Sequence, residues 1–190
     1  MFVMLGLGGL GVIAFLLQRS PGTSTSIATR VVPVEIFRTN LVLADGRLRR
    51  ASDSNVFTGF MVEKNPDGSF RSRTSVSNGL LNGISQGWFT NGHLQVSENF
   101  KDGVSHGVRT KWYADGQKQS EASIVDGEIQ GTFRRWHPNG VLAEQAEFVA
   151  NKPAGTSVAY FPSGCLKARV VMKDGKPAEQ TFWKDGEKKE

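Results

Sequence analysis

The sequence predicts an all-β protein: an elongated, single-layer antiparallel sheet of repeated β-hairpins, with an apolar helix at the N-terminus. Three columns of residues, each with a period of 24, predict the hairpins. The first column is Gly83, Gly107, Gly131 and Gly155. The second is Gly92, Gly116, Gly140 and Gly164, and four residues before its members stand Trp88, Trp112, Trp136 and Tyr160. The third is Gly79, Gly103, Gly127, Asn151 and Gly175, which predicts a positive φ.

The turn at the second column has its own chemistry. Pro66, Pro138 and Pro162 stand two residues before a glycine, with Asp, Asn or Ser between. This pattern is typical of a type I turn followed by a left-handed bulge residue, a three-residue hairpin loop. The loop length sets the pairing of the strands, so Trp112 should face Lys118 and Trp136 should face Leu142. Each repeat is then one hairpin.

Alternation along the strands divides the side chains between two faces. One face should carry the aromatic column of Trp88, Trp112, Trp136 and Tyr160 together with Phe100, Ile124, Phe148 and Met172. The opposite face should be basic and carry Arg71, Arg73, Arg109, Lys111, Arg135, Lys167 and Arg169, against Glu63, Glu121 and Glu147. At its turn edge this second face should also carry Phe89, Tyr113, His137 and Phe161.

The phrases GWFTNG, KWYADG, RWHPNG and AYFPSG resemble MORN repeats of the bacterial variant type. The resemblance covers about residues 57–186. It implies a repeat scaffold, and for bacterial members often an antitoxin or immunity role. The ends of the array are irregular: LVLADG at 41–46 reads as a degenerate repeat, and TFWKDG at 181–186 is two residues out of phase.

The N-terminal segment is a run of uncharged, largely apolar residues, FVMLGLGGLGVIAFLL at 2–17. A membrane anchor and a cleaved signal segment both fit it. Its GLGGLG also matches a dinucleotide-binding fingerprint, but no further βαβ unit follows. We therefore divide the chain into an anchor or signal at 1–18, a tether at 19–34, the repeats at 35–186 and a charged tail at 187–190. The protein is expected at a membrane or exported to the cell envelope, on a side left open.

Chemistry at a single site is not predicted. The register separates His93, His106 and His137, and Cys165 has no histidine near it. The sequence therefore predicts no enzyme, no metal site and no cofactor. The basic surface bordered by aromatics suits a protein partner or an anionic lipid, although such charges also simply solvate an exposed sheet. Nucleic acid ranks last, because the net charge of +5 is modest and spread along the chain.

Overall fold

The computed structural model describes residues 33–173 and 175–187. The apolar helix predicted at the N-terminus, nearly all of the tether and the last three residues of the tail lie outside the described residues. None of the described residues belongs to a helix long and apolar enough to cross a membrane.

The described residues are dominated by β-strands, in agreement with the predicted fold class. A short 3-10 helix, Arg38–Asn40, separates the first two strands. The strands are β1 Glu35–Phe37, β2 Leu41–Ala44, β3 Arg47–Arg50, β4 Gly59–Lys64, β5 Phe70–Ser77, β6 Leu80–Trp88, β7 Leu94–Lys101, β8 Val104–Ser105, β9 Gly107–Trp112, β10 Lys118–Val125, β11 Glu128–Trp136, β12 Leu142–Val149, β13 Lys152–Tyr160, β14 Leu166–Lys173 and β15 Lys176–Phe182.

Thirteen of these strands form one sheet. From β4 onward, sequential strands are neighbours, each antiparallel to the one before, and the short β8 pairs only with β7. At the other end, β1 lies parallel to β4. This is the order expected when each repeat folds as a hairpin and docks on the previous one.

The predicted three-residue loops are present. In the loop at Gly116, the N–H of Gly116 donates to the carbonyl of Tyr113 at 2.9 Å, and the N–H of Tyr113 donates to the carbonyl of Gln117 at 2.8 Å. Four other repeats have the same two bonds. The first pairs beyond the loops are Trp112 with Lys118 and Trp136 with Leu142, so the predicted register is confirmed there. We call these loops the front turns.

One residue further, each of the five hairpins with a front turn contains a β-bulge that the sequence interpretation missed. Lys111 pairs with Ser120, so Gln119 is left without a partner of its own. The equivalent extra residues in the other repeats are Arg71, Gln95, Ala143 and Lys167. Because side chains alternate along a strand, one extra residue moves the rest of the second strand to the other face.

The bulge corrects the predicted faces. Ile124 pairs with Gly107, which alternation places on the side of Arg109 and Lys111. We call this side the basic face, and the side of Trp112 the tryptophan face. The prediction that the tryptophan column shares a face with Phe100, Ile124, Phe148 and Met172 is therefore wrong. The same shift takes Arg73, Arg169, Glu121 and Glu147 to the tryptophan face.

The third column forms tight two-residue turns at the opposite edge, which we call the back turns. Asn78 and Gly79 have φ values of 49° and 76°, and the following repeats are alike. Two successive residues with positive φ define a type I′ turn, which matches the twist of the strands. The predicted positive φ of the column is confirmed, including that of Asn151 at 62°.

Ala150 is the exception in the back turns, because it has φ of 49° where other repeats have Asn or Asp. A left-handed conformation costs an alanine about 1–2 kcal/mol. We expect Ala150→Gly to raise the free energy of unfolding by about 1 kcal/mol in urea titrations. Ala154→Gly, in the extended strand β13, is the matched control and should lower it by about 0.5–1 kcal/mol. Equal effects of both substitutions would contradict the strain at Ala150.

The fully buried core lies at the N-terminal end of the sheet. Leu41, Leu48, Phe57 and Val76 form one buried cluster. LVLADG does form a hairpin, as predicted, but β2 and β3 pair only with each other. They add a second layer against β5, where the sequence predicted a single layer throughout. Along the rest of the array the buried side chains are small or few: Ala122, Ile124, Ala143 and Ala146.

Candidate binding surface

The basic face retains five of the seven cations predicted for it. Arg109, Lys111 and Arg135 lie in the first strands of their hairpins, whereas the extra residue of each bulge lies in the second strand. The face of these three cations was therefore predicted correctly. Arg71 and Lys167 are bulge residues, and the Nζ atom of Lys167 lies 5.6 Å from the centre of the Phe161 ring. Arg73 instead stacks its guanidinium 3.4 Å from the ring centre of Phe60 on the tryptophan face.

Two of the five cations are neutralised by acids that the sequence interpretation did not place beside them. The Nε atom of Arg109 donates to Glu98 at 2.9 Å, and Ser105 donates to the same carboxylate oxygen. The Nη2 atom of Arg135 lies 2.9 Å from Glu144. Within the described residues, Arg71, Lys111 and Lys167 form no ion pair, and all three are exposed. These three define what we call the open cation row.

The aromatic column beside the row is partly structural. The hydroxyl of Tyr113 donates to the carbonyl of Trp136 at 2.7 Å, and the Nε2 atom of His137 lies 2.9 Å from the carbonyl of Tyr160. A carbonyl only accepts, so Nε2 of His137 carries a proton. Each polar group thus ties its own repeat to the next one. Phe89 and Phe161 are half-buried and have no such bond to make.

The front turns are also linked to one another by their Asn side chains. Asn91 and Asn139 each accept the N–H two residues on, and each donates its Nδ2 to the next turn, at 2.7 Å in both cases. Asp67 accepts the corresponding bond within its own turn. The hydroxyl and the N–H of Ser69 donate to its carboxylate, and both bonds lower the pKa of that carboxyl. Asp115 likewise accepts the N–H of Gln117 at 2.9 Å.

The tryptophan face covers its own aromatic column. The ring centres of Phe70 and Trp88 lie 5.9 Å apart, and Nζ of Lys118 lies 5.3 Å from the ring centre of Trp136. In these two hairpins the residue that begins the second strand packs beside the aromatic of the next repeat. The three indoles of the column are half-buried.

The histidines and the cysteine are separate from one another. His93 and His106 contact different neighbours: Nδ1 of His93 lies 2.7 Å from the carbonyl of Ala114, and Nδ1 of His106 lies 3.3 Å from Asp126. Cys165 is a half-buried free thiol. In the part of the chain that the structure describes, no three His, Cys, Asp or Glu side chains are grouped as metal ligands would be.

Fold and turn chemistry together define a β-hairpin repeat protein whose repeats stack into one sheet. Residues 81–102, 105–126 and 129–150 match the family model of the MORN repeat variant. The resemblance to MORN repeats seen in the sequence is confirmed over these residues.

Two further comparisons add little to this. No curated protein sequence matches the chain significantly. Among solved structures, a mutant of TarM from S. aureus, in complex with fondaparinux, alpha-GlcNAc-glycerol and UDP, is similar with 14% identity and a TM-score of 0.34. The match covers 50% of this chain and 19% of the TarM chain, so it spans about a fifth of that protein.

Proposed function

We propose that the protein is a non-catalytic MORN-repeat scaffold that recognises a protein partner at a membrane, with an antitoxin or immunity role as the specific form. The observation that carries the proposal is the open cation row. Arg71, Lys111 and Lys167 are exposed on one face without acidic partners among the described residues. The apolar run at 2–17 supports the membrane location.

The row suits an acidic protein surface for a physical reason. Its cations lie on separate strands of one hydrogen-bonded sheet, so their spacing is held by the backbone. Cations held in place lose less entropy on binding than cations on a mobile segment. Charge of one sign also steers an oppositely charged partner and raises the rate of association.

The test is affinity capture of the tagged full-length protein from gently solubilised membranes. One variant reverses the row with Arg71→Glu, Lys111→Glu and Lys167→Glu. The control makes the same change of net charge at Lys101, Lys152 and Lys173, exposed residues beside the back turns. We expect a stoichiometric protein that the wild type and the control retain and the row variant loses. Equal recovery by all three proteins would contradict the role of the row.

The antitoxin role makes a separate prediction about cell growth. The captured partner should be toxic to cells when this protein is deleted and harmless when it is present. A deletion strain that grows normally while still producing the partner would rule out this form and leave the scaffold proposal standing.

The second candidate function is an envelope protein whose basic face lies on anionic lipid headgroups. The same open cation row favours it, since each cation near an acidic bilayer contributes about 1 kcal/mol. Acidic vesicles should then bind the wild type in a salt-sensitive way and bind the row variant much less. If vesicles do not distinguish the row variant from the control, the lipid function fails.

A further inference from the structure

A second surface lies at the N-terminal end of the sheet, on the basic face but at the back edge, away from the open cation row. Here the β2–β3 hairpin, β4, β6 and the turn after β7 border a groove of about 300 Å³. The apolar side chains that line it are those of Leu43, Leu48, Met61, Leu80 and Leu81, and turn glycines form part of the rim. Leu43 is 70% exposed, which is unusual for a leucine of this structure.

The shape of the groove restricts what fills it. It runs across the sheet from β4 to the turn after β7, three strand spacings or about 14 Å. The volume of the groove is about 300 Å³. It is at the lower limit of small-molecule sites, roughly 300–1,000 Å³. A small, extended amphiphile fits this volume and the span of the lining residues.

The charge of the groove indicates the end group of that amphiphile. Arg38 lines it, and no acid does. Arg38 belongs to the 3-10 helix, which lies against β4 at one end of the groove. Its bond within the described residues is a long one, 3.4 Å to the carbonyl of Leu41. A guanidinium has five N–H donors, so the side chain retains the capacity to bind a carboxylate with two parallel bonds.

We propose that this groove binds one straight-chain carboxylate, a fatty acid, with its tail along Leu43, Met61 and Leu81 and its carboxylate on Arg38. The occupant is an amphiphile with one anionic group and not a second copy of the protein, because the lining side chains are apolar except for the single cation Arg38. This site is independent of the open cation row and of any protein that the row binds.

The experiment measures binding of dodecanoate and of dodecanol to the full-length protein by equilibrium dialysis with labelled ligands. Leu43→Gln should weaken both ligands roughly tenfold, because the tail loses its exposed apolar contact. The matched control is Val42→Gln. Val42 is 45% exposed on the opposite side of the same strand, so its substitution should leave the affinities for both ligands unchanged. Arg38→Gln should weaken dodecanoate roughly tenfold and leave dodecanol unchanged.

Residues 2–17 are the same in all of these variants, so a difference in affinity between the variants does not come from that segment. Circular dichroism verifies that Leu43→Gln keeps its fold, as expected for so exposed a residue. Equal affinities of wild type, Val42→Gln and Leu43→Gln would overturn the proposal. The proposal would also be overturned if Arg38→Gln weakened the binding of dodecanol as much as that of dodecanoate. It would be overturned too by a dimer of the wild type that Leu43→Gln dissociates, since a second copy of the protein would then fill the groove.

Discussion

Phe57→Ala should lower the free energy of unfolding of the N-terminal end of the sheet by about 3–5 kcal/mol. Phe57 is 0% exposed and packs in the cluster of Leu41, Leu48 and Val76. Alanine would leave a cavity that the backbone cannot easily close. The N–H of Phe57 donates to Leu48 at 3.0 Å, and its carbonyl accepts the N–H of Gly79 at 2.7 Å. The chain at Phe57 is thus held on both sides.

The loss should remain local, because in a stacked array each repeat contacts only its neighbours. Hydrogen exchange should show β2 to β5 losing protection while β10 to β13 keep it. Ile124→Ala is the control. Ile124 is 2% exposed in the middle of the array, and its truncation should remove protection around β10 and β11 instead. Loss of protection along the whole sheet in Phe57→Ala would show that the array unfolds as one unit.

The repeated hairpins could be predicted from the sequence because their turns demand particular residues. A positive φ at Gly116 or Gly127 excludes most side chains, so the requirement is visible as a column of glycines. Loop length then fixes the first strand pair, which is why Trp112 and Lys118 were paired correctly. Local backbone geometry accounts for this success.

The bulges could not be predicted, because their extra residues do not have a positive φ and so demand no particular side chain. Arg71, Gln119 and Ala143 occupy the same bulge position and share no chemistry. The error spread from there to every residue beyond the bulge. It placed Glu121 on the wrong face and hid the acids that pair with Arg109 and Arg135.

The N-terminal cluster was missed for a related reason. Phe57 stands between Val56 and Thr58, outside the three columns with a period of 24, and no alternation marks it as buried. Its burial follows from a contact between the β2–β3 hairpin and β5, segments some thirty residues apart in the chain. The groove beside Arg38 depends on the same docking, so no repeat pattern could have indicated it.

The glycine at the start of β4 gives the second large effect. Gly59 has φ of +149°, and a Cβ atom there would lie 2.3 Å from the carbonyl oxygen of Val34 and 2.9 Å from the ring of Phe57. The N–H of Phe60 donates to that same carbonyl at 2.8 Å, so Val34, the residue before β1, cannot withdraw without breaking its bond to β4. We expect Gly59→Ala to lower the free energy of unfolding by more than about 3 kcal/mol.

A matched control separates the steric clash from the cost of the backbone conformation. Gly68 also has a positive φ, +87°, but a Cβ atom there would meet nothing within 4 Å. Gly68→Ala should therefore cost only the conformational part, about 1–2 kcal/mol. Urea titrations of both variants measure the difference, and hydrogen exchange in β1 and β4 locates it. If the two substitutions cost the same, the contact between β1 and Phe57 does not restrict Gly59, and the N-terminal end of the sheet is looser than its packing indicates.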